Sequence, residues 1–265
     1  MTPLLEVKNL TMAFGGIKAL DSVDLHIEPG QIAALIGPNG AGKTTLFNCL
    51  TGIYTPTSGD IFLNAPGGKA RRLNGLKINA ITALGVARTF QNIRLFGGMT
   101  VLENVMIGRH PRSSAGILGA IFRPPATRRE EQDIVDKSYA LLESMGLSES
   151  ANELASNLPY GAQRRLEIAR ALATEPRVLL LDEPAAGMNP QETNELEGLL
   201  TRLQAAHELS ILLIEHDMKL VMNLAENIFV LDYGEEIARG APQEIRNNPA
   251  VIKAYLGEED DAEAQ

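Results

Sequence analysis

The chain has 265 residues, 45% of them hydrophobic and 22% charged, with a formal net charge of −9. That length buries a sizeable core, as one large domain or as two lobes of one unit, and the acidic balance excludes a nucleic-acid binder, which needs a basic face against phosphates. The last residues carry much of the excess charge, with Glu258, Glu259, Asp260, Asp261 and Glu263 crowded together, so the end reads as a solvated tail on a mildly acidic body.

The opening residues Met1 to Lys8 show neither a basic n-region nor an apolar h-region, so no signal peptide is expected. No apolar run approaches the roughly 18 to 20 residues of a membrane span, and any membrane contact is expected to come through partners. Glu6 to Leu10 and Val23 to Ile27 alternate apolar and polar residues as half-buried strands of an antiparallel layer do. Gln31 to Ile36 is a continuous apolar run ending at a glycine, the pattern of a strand buried on both faces. The helix that follows contains Cys49, the only cysteine, which reads as a small core hydrophobe in a reducing compartment.

From Asn92 to Ala162 the pattern is helical without a convincing buried strand, broken by Pro111, Pro124 and Pro125, with Arg123, Arg128 and Arg129 marking a solvated surface. A helix with proline at its first position follows, with Leu166, Ala169 and Ala173 on one face. Val178 to Leu181 and Ile211 to Ile214 are buried strands, and Asn189-Pro190-Gln191-Glu192 is a helix start with its cap, proline and glutamate in place. Ile228 to Leu231 and Glu236 to Arg239 flank Tyr233-Gly234 as a terminal hairpin. Buried strands alternating with helices imply a mostly parallel α/β sheet. No internal repeat is present, so one nucleotide-binding unit is expected.

Two segments carry chemistry by themselves. Gly37-Pro38-Asn39-Gly40-Ala41-Gly42-Lys43-Thr44 matches the phosphate-binding loop, between a buried strand and a helix as that motif requires. Its glycines let backbone N–H groups point at a polyphosphate and the helix adds its positive end. Lys43 then reaches the β- and γ-phosphates of ATP, and the Thr44 hydroxyl is a ligand for Mg2+. The second segment, Arg177 to Glu183, is a hydrophobic strand ending in two carboxylates. Asp182 there is a metal ligand, direct or through water, and Glu183 orients and polarises the attacking water.

Leu158-Pro159-Tyr160-Gly161-Ala162-Gln163, followed by a basic helix, resembles the signature segment of the ABC (ATP-binding cassette) superfamily. Gly161 and Gln163 fit that segment, whereas Pro159, Tyr160 and Ala162 depart from its commonest form. The resemblance implies that Gln91 contacts Mg2+ and reports on the transporter, that His216 is the switch histidine at the γ-phosphate, and that Thr45 joins the phosphate loop. It also implies that Tyr160, Gly161 and Gln163 grip nucleotide across a dimer, where Ala185 to Pro190 forms the crossing loop. Phe14 stands where the family carries an aromatic stacked on adenine, and a core phenylalanine reads equally well.

The chain is most similar to the ATPases of branched-chain or hydrophobic amino-acid importers, through Arg88 to Asn92, Leu158 to Gly161, Pro184 to Pro190, Glu215 to Met218 and Arg246 to Pro249. Such an ATPase implies two membrane permeases, a second identical or related ATPase arranged head to tail, an external solute-binding protein, and a place on the cytoplasmic face of the bacterial inner membrane. Lipopolysaccharide-export ATPases share much of the pattern, and soluble ABC ATPases of DNA repair or translation are the rival from another class. The expected fold is a P-loop NTPase core with an antiparallel β subdomain and an inserted helical subdomain. It is divided as 1–91, 92–162 and 163–257, with an acidic tail at 258–265.

Overall fold

The computed structural model describes residues 2–64, 68–110 and 124–255. Strands β1 (Leu5–Phe14) and β2 (Ile17–Ile27) pair antiparallel, Leu5 opposite Ile27 and Phe14 opposite Ile17. The alternation of β1 breaks between Val7 and Leu10, where the register shifts and Asn9 takes a left-handed φ of 47°. The irregularity returns Leu10 to the buried face. Strands β4 (Ser58–Leu63) and β5 (Arg71–Arg72) complete a four-stranded sheet of order β2-β1-β4-β5.

The second sheet has six strands in the order β10-β9-β3-β8-β7-β6. Its members are β3 (Ile32–Ile36), β6 (Val86–Arg88), β7 (Val178–Asp182), β8 (Ser210–Ile214), β9 (Asn227–Asp232) and β10 (Glu235–Gly240). All pairings are parallel except the β9–β10 hairpin. Every residue of β3, β7 and β8 is buried, as continuous apolar runs require when both faces are covered. Val178 and Leu180 pack toward the antiparallel sheet and helix α1 (Lys43–Leu50). Leu179 and Leu181 pack on the opposite face. The helices there are α5 (Tyr160–Leu172), α6 (Pro190–His207) and α7 (Met218–Leu224).

Between β6 and β7 the described residues form α3 (Val101–Gly108), α4 (Pro125–Ser144) and all of α5, with no strand beyond an isolated Thr100–Leu154 bridge. Thr100 and Glu103 close a capping box that starts α3. At Gly108 an added Cβ would stand 2.3 Å from the Arg170 carbonyl oxygen, so only glycine lets α3 approach α5 this closely. Val101, Val105 and Leu142 belong to the same apolar cluster as Leu166 and Leu179, so the helical part shares its core with the sheet. Pro125 opens α4 rather than interrupting a helix, and Arg128 and Arg129 are exposed as expected. Pro111, Arg123 and the acidic tail lie outside the described residues. The asparagine-capped start of α6 forms as read, with Asn189 accepting from Gln191 and Glu192 and Pro190 at the first position.

Candidate active site

Four adjacent parallel strands, β3, β8, β7 and β6, end on the same side of the sheet. The residues just beyond them are Gly37, Glu215 with His216, Glu183, and Thr89 to Gln91. Open α/β sheets bind ligands at this edge. Here the topology, rather than sequence proximity, gathers the segments singled out above.

The loop between β3 and α1 is held by glycine geometry. Gly37 has φ 148°, and a Cβ there would stand 2.0 Å from the Leu231 carbonyl oxygen. Gly42 has φ 99°, and a Cβ there would meet Ala19 O at 2.5 Å. The loop is thus pressed between β2 and β9, and its backbone turns inward as a cradle. Lys43, 7% exposed, donates through Nζ to the carbonyls of Gly37 at 2.5 Å and Pro38 at 2.8 Å. A cavity of about 320 Å³ opens over the loop. Asn39, Gly40, Ala41, Gly42, Lys43, Thr44 and Thr45 form one wall, and Gln91, Glu183 and His216 form the other. An ammonium, a hydroxyl and the free N–H groups of a helix start suit a polyphosphate with a hard cation.

Glu183 is the meeting point of the second wall. Its Oε2 accepts from Gln91 Nε2 at 2.8 Å, and His216 Nε2 lies 3.1 Å from its Oε1. Its backbone has a left-handed φ of 47°, unusual for a residue with a side chain and a conformation that costs about 1 to 3 kcal/mol. The Glu183 N–H donates to Ile214 O at 2.9 Å, which ties this turn to the end of β8. Gln91 and His216 therefore converge on the Glu183 carboxylate.

Asp182 does not line this cavity. It is buried, and its Oδ2 accepts from Arg88 Nη2 at 2.6 Å. Tyr160, Gly161 and Gln163 also lie away from it. They start α5, where an added Cβ on Gly161 would meet Glu192 Oε1 at 2.9 Å and the Tyr160 ring packs near Gly187. Gln163 donates through Nε2 to Leu158 O at 2.8 Å. Pro159 is the N-cap residue, one position before the first helical residue predicted for it, with φ −57° and ψ 154°. No side chain caps this helix, so its first N–H groups have no capping acceptor. Phe14 is 43% exposed and meets Tyr54 edge-on with centroids 5.2 Å apart, so the core reading fails for it. The same β1–β2 turn continues to Ala19, which lines the cavity.

Three buried charged groups escaped the sequence reading. Arg164 is fully buried: its Nη1 donates to Phe90 O at 2.7 Å and Glu167 Oε2 at 2.8 Å, and its Nη2 to Gln91 O at 2.8 Å. Helix α5 thereby holds the backbone that carries Gln91. Glu215 accepts from Ala185 N at 2.7 Å through Oε1 and from His216 N at 3.1 Å through Oε2. Burial pushes its carboxyl above the usual range, against the lowering effect of those N–H donors, and nearby Glu183 adds to the rise. Arg88 joins Asp182 to Asn48. The three-residue spacing of Arg164 and Glu167 permits an ion pair on one helix face but does not distinguish a buried pair from a solvated one.

The ABC transporter family model matches residues 20–186, and a second, described as branched-chain amino acid ATP-binding cassette transporter, matches residues 235–261. A curated relative, the high-affinity branched-chain amino acid transport ATP-binding protein LivG of Salmonella typhimurium, is 52% identical over 97% of this chain and 98% of its own. Among solved structures, the ADP conformation of MJ1267, an ATP-binding cassette of an ABC transporter, superposes with a TM-score of 0.83 at 30% identity, covering 97% of this chain and 100% of the other. The dimeric structure of MJ0796, a bacterial ABC transporter cassette, gives 0.74 at 25% identity over 90% of this chain and 98% of that one. With the phosphate loop, the strand-end carboxylates and the fold in agreement with these likenesses, the chain belongs to the ABC transporter family and is one of its ATPases.

Proposed function

We propose that this ATPase powers an importer of branched-chain or other hydrophobic amino acids. In this reading it works as a head-to-tail pair with an identical or related ATPase, on two membrane permeases fed by an external solute-binding protein. The 52% identity to a branched-chain amino acid transport protein supports this solute class over lipopolysaccharide export. Among the described residues no helix is long and apolar enough to cross a membrane, so the permeases provide the attachment, at the cytoplasmic face of the inner membrane. The groove for them lies between α2 (Ile78–Leu84), Phe90 to Phe96 and α3, where Phe96 is 50% exposed. The division into 1–91, 92–162 and 163–257 belongs to the same proposal.

For the reaction, the loop from Gly37 to Thr45 binds the phosphates of ATP, and Phe14 stacks on the adenine. Glu183 orients the attacking water and accepts its proton, with Gln91 and His216 holding the carboxylate and sensing the γ-phosphate. Thr44, Asp182 and Gln91 are the side chains that would hold Mg2+, which would offset the charge of the phosphates. Tyr160, Gly161 and Gln163 serve the nucleotide of the opposite subunit.

The observation that carries this reading is the convergence of Gln91 and His216 on Glu183, at 2.8 Å and 3.1 Å, over the phosphate loop. Glu183→Gln in the assembled transporter tests it. ATP binding is expected to persist while hydrolysis falls by about 10² or more, the size of a lost proton acceptor. Hydrolysis at the wild-type rate would remove Glu183 from the role of base.

A further inference from the structure

Arg88 lies in no motif of phosphate chemistry, yet its side chain is only 5% exposed and is paired through both terminal nitrogens. Nη2 donates to Asp182 Oδ2 at 2.6 Å, and Nη1 to Asn48 Oδ1 at 2.7 Å. Its Cζ lies 5.3 Å from the ring centroid of Phe47 and 5.2 Å from that of Phe90. Its Nε, also buried, has no hydrogen-bond partner among the described residues. A buried pair of this kind contributes little net stability over apolar side chains of the same volume, so stability alone does not account for a charge here. Its placement does. Asn48 lies one helical turn beyond Thr44 on α1, so both occupy one face of that helix. Arg88 therefore spans the two elements, α1 and the end of β7, that carry Thr44 and Asp182.

We infer that Arg88 is a positioning residue for the metal: it holds one oxygen of Asp182, ties β7 to α1 through Asn48, and leaves the Oδ1 of Asp182 for the cation. This rests on the reading of Asp182 as a metal ligand. Two effects compete, because a guanidinium near a dication also repels it. The charge of Arg88 is delocalised, engaged by Asp182 Oδ2 and flanked by two aromatic rings, so orientation wins. Hydrogen-bond partners of metal ligands change metal affinity by about 10- to 100-fold when removed.

The test measures Mn2+ binding by electron paramagnetic resonance in the presence of a non-hydrolysable ATP analogue, and analogue affinity in EDTA. Arg88→Met is expected to weaken Mn2+ by about 10- to 100-fold while the affinity in EDTA stays at the wild-type value. Arg88→Lys keeps a cation but loses the planar fork that reaches both partners, and should fall between. Unchanged or tighter Mn2+ binding in Arg88→Met overturns the inference, the latter because it would make the guanidinium a competing cation. Should Arg88→Met fail to fold, Asn48→Ala decides: it keeps the ion pair, removes the tether, and must weaken Mn2+ severalfold. Asp182→Asn separates the two levels. If it binds Mn2+ as wild type does, the metal reading itself fails; if it weakens Mn2+ while the Arg88 and Asn48 variants do not, only the role of Arg88 fails.

Discussion

Arg164→Met removes a guanidinium that four groups share, at distances from 2.7 to 3.5 Å. The carbonyls of Phe90 and Gln91 lose their charged donor, and Glu167, 1% exposed, keeps as hydrogen-bond donors the N–H groups of Phe90 and Arg94 at 3.4 and 3.3 Å, with the Arg170 charge nearby but not bonded to it. Each hydrogen bond to a charged group is worth roughly 1.5 to 3 kcal/mol, but these share one donor and do not add. Breaking one side of a buried pair costs about 3 to 5 kcal/mol. At about 2 to 4 °C per kcal/mol for a chain of this size, the midpoint should fall by about 6 to 20 °C. Arg164→Met with Glu167→Leu replaces both charges by apolar volume and should recover much of that loss. It does not recover the hold on Gln91. Thermal unfolding and ATP hydrolysis of wild type, single and double variant separate the two effects: stability should return in the double variant while the turnover rate stays low. If the double variant is as unstable as the single one, Glu167 is not left stranded. If turnover returns with stability, the clamp does not position Gln91.

Pro159→Ser, measured in the Glu183→Gln background, should tighten the ATP-bound dimer about tenfold to a hundredfold, because a hydroxyl donor to a phosphate adds roughly 1.5 to 3 kcal/mol. An unchanged dimerisation constant would mean that the helix end already supplies the contact. Phe96 is half exposed, with Arg170 5.5 Å over its ring, so Phe96→Ala should weaken permease association while leaving ATP affinity and the unfolding midpoint near wild type; an unfolded subunit would return Phe96 to the core. Glu215 has a folded pKa raised above 4.5, chiefly by burial, so its charged form is disfavoured in the fold. Its contribution to stability is fully present below 4.5 and is lost as pH rises through the folded value. Relative to wild type, Glu215→Gln should therefore become progressively less destabilised as pH rises from below 4.5, read by urea unfolding; a difference independent of pH would refute this.

What was legible in the sequence was contiguous. The phosphate loop carries its glycines, lysine and threonine in one run, and β7 announces Asp182 and Glu183 at its own end. What was not legible depends on which strands become neighbours. Arg88 and Asp182 are 94 positions apart, and they meet because β6 joins the sheet beside β7, through three paired residues too short to show a period. Strand β5 escaped for the same reason, being two arginines paired with Phe62 and Leu63, whereas β4 opens on the turn-type residues Ser58-Gly59-Asp60, which mask its buried Ile61 and Leu63. Nothing in the sequence singles out Arg164 and Glu167 as buried, since charge at helical spacing usually marks an outer face. They are inside because the chain after β6 passes over α5, where the pair bonds the carbonyls of Phe90 and Gln91 and the N–H groups of Phe90 and Arg94.

The position of Pro159 has a consequence for assembly. A proline at the first helical position would have taken the place of one free N–H, whereas at the N-cap it leaves those of Tyr160, Gly161 and Ala162 in place and supplies no side-chain acceptor for them. Such an end favours an anion, by its N–H groups and by the helix dipole together. The phosphate loop of the same chain holds its own cavity, whose lining among the described residues includes none of these three. The loop has its cradle without a second set of donors, and the helix has its donors without a cradle. One chain therefore presents two half-sites that do not meet, as the proposed head-to-tail pair requires if each is to complete the other around one nucleotide.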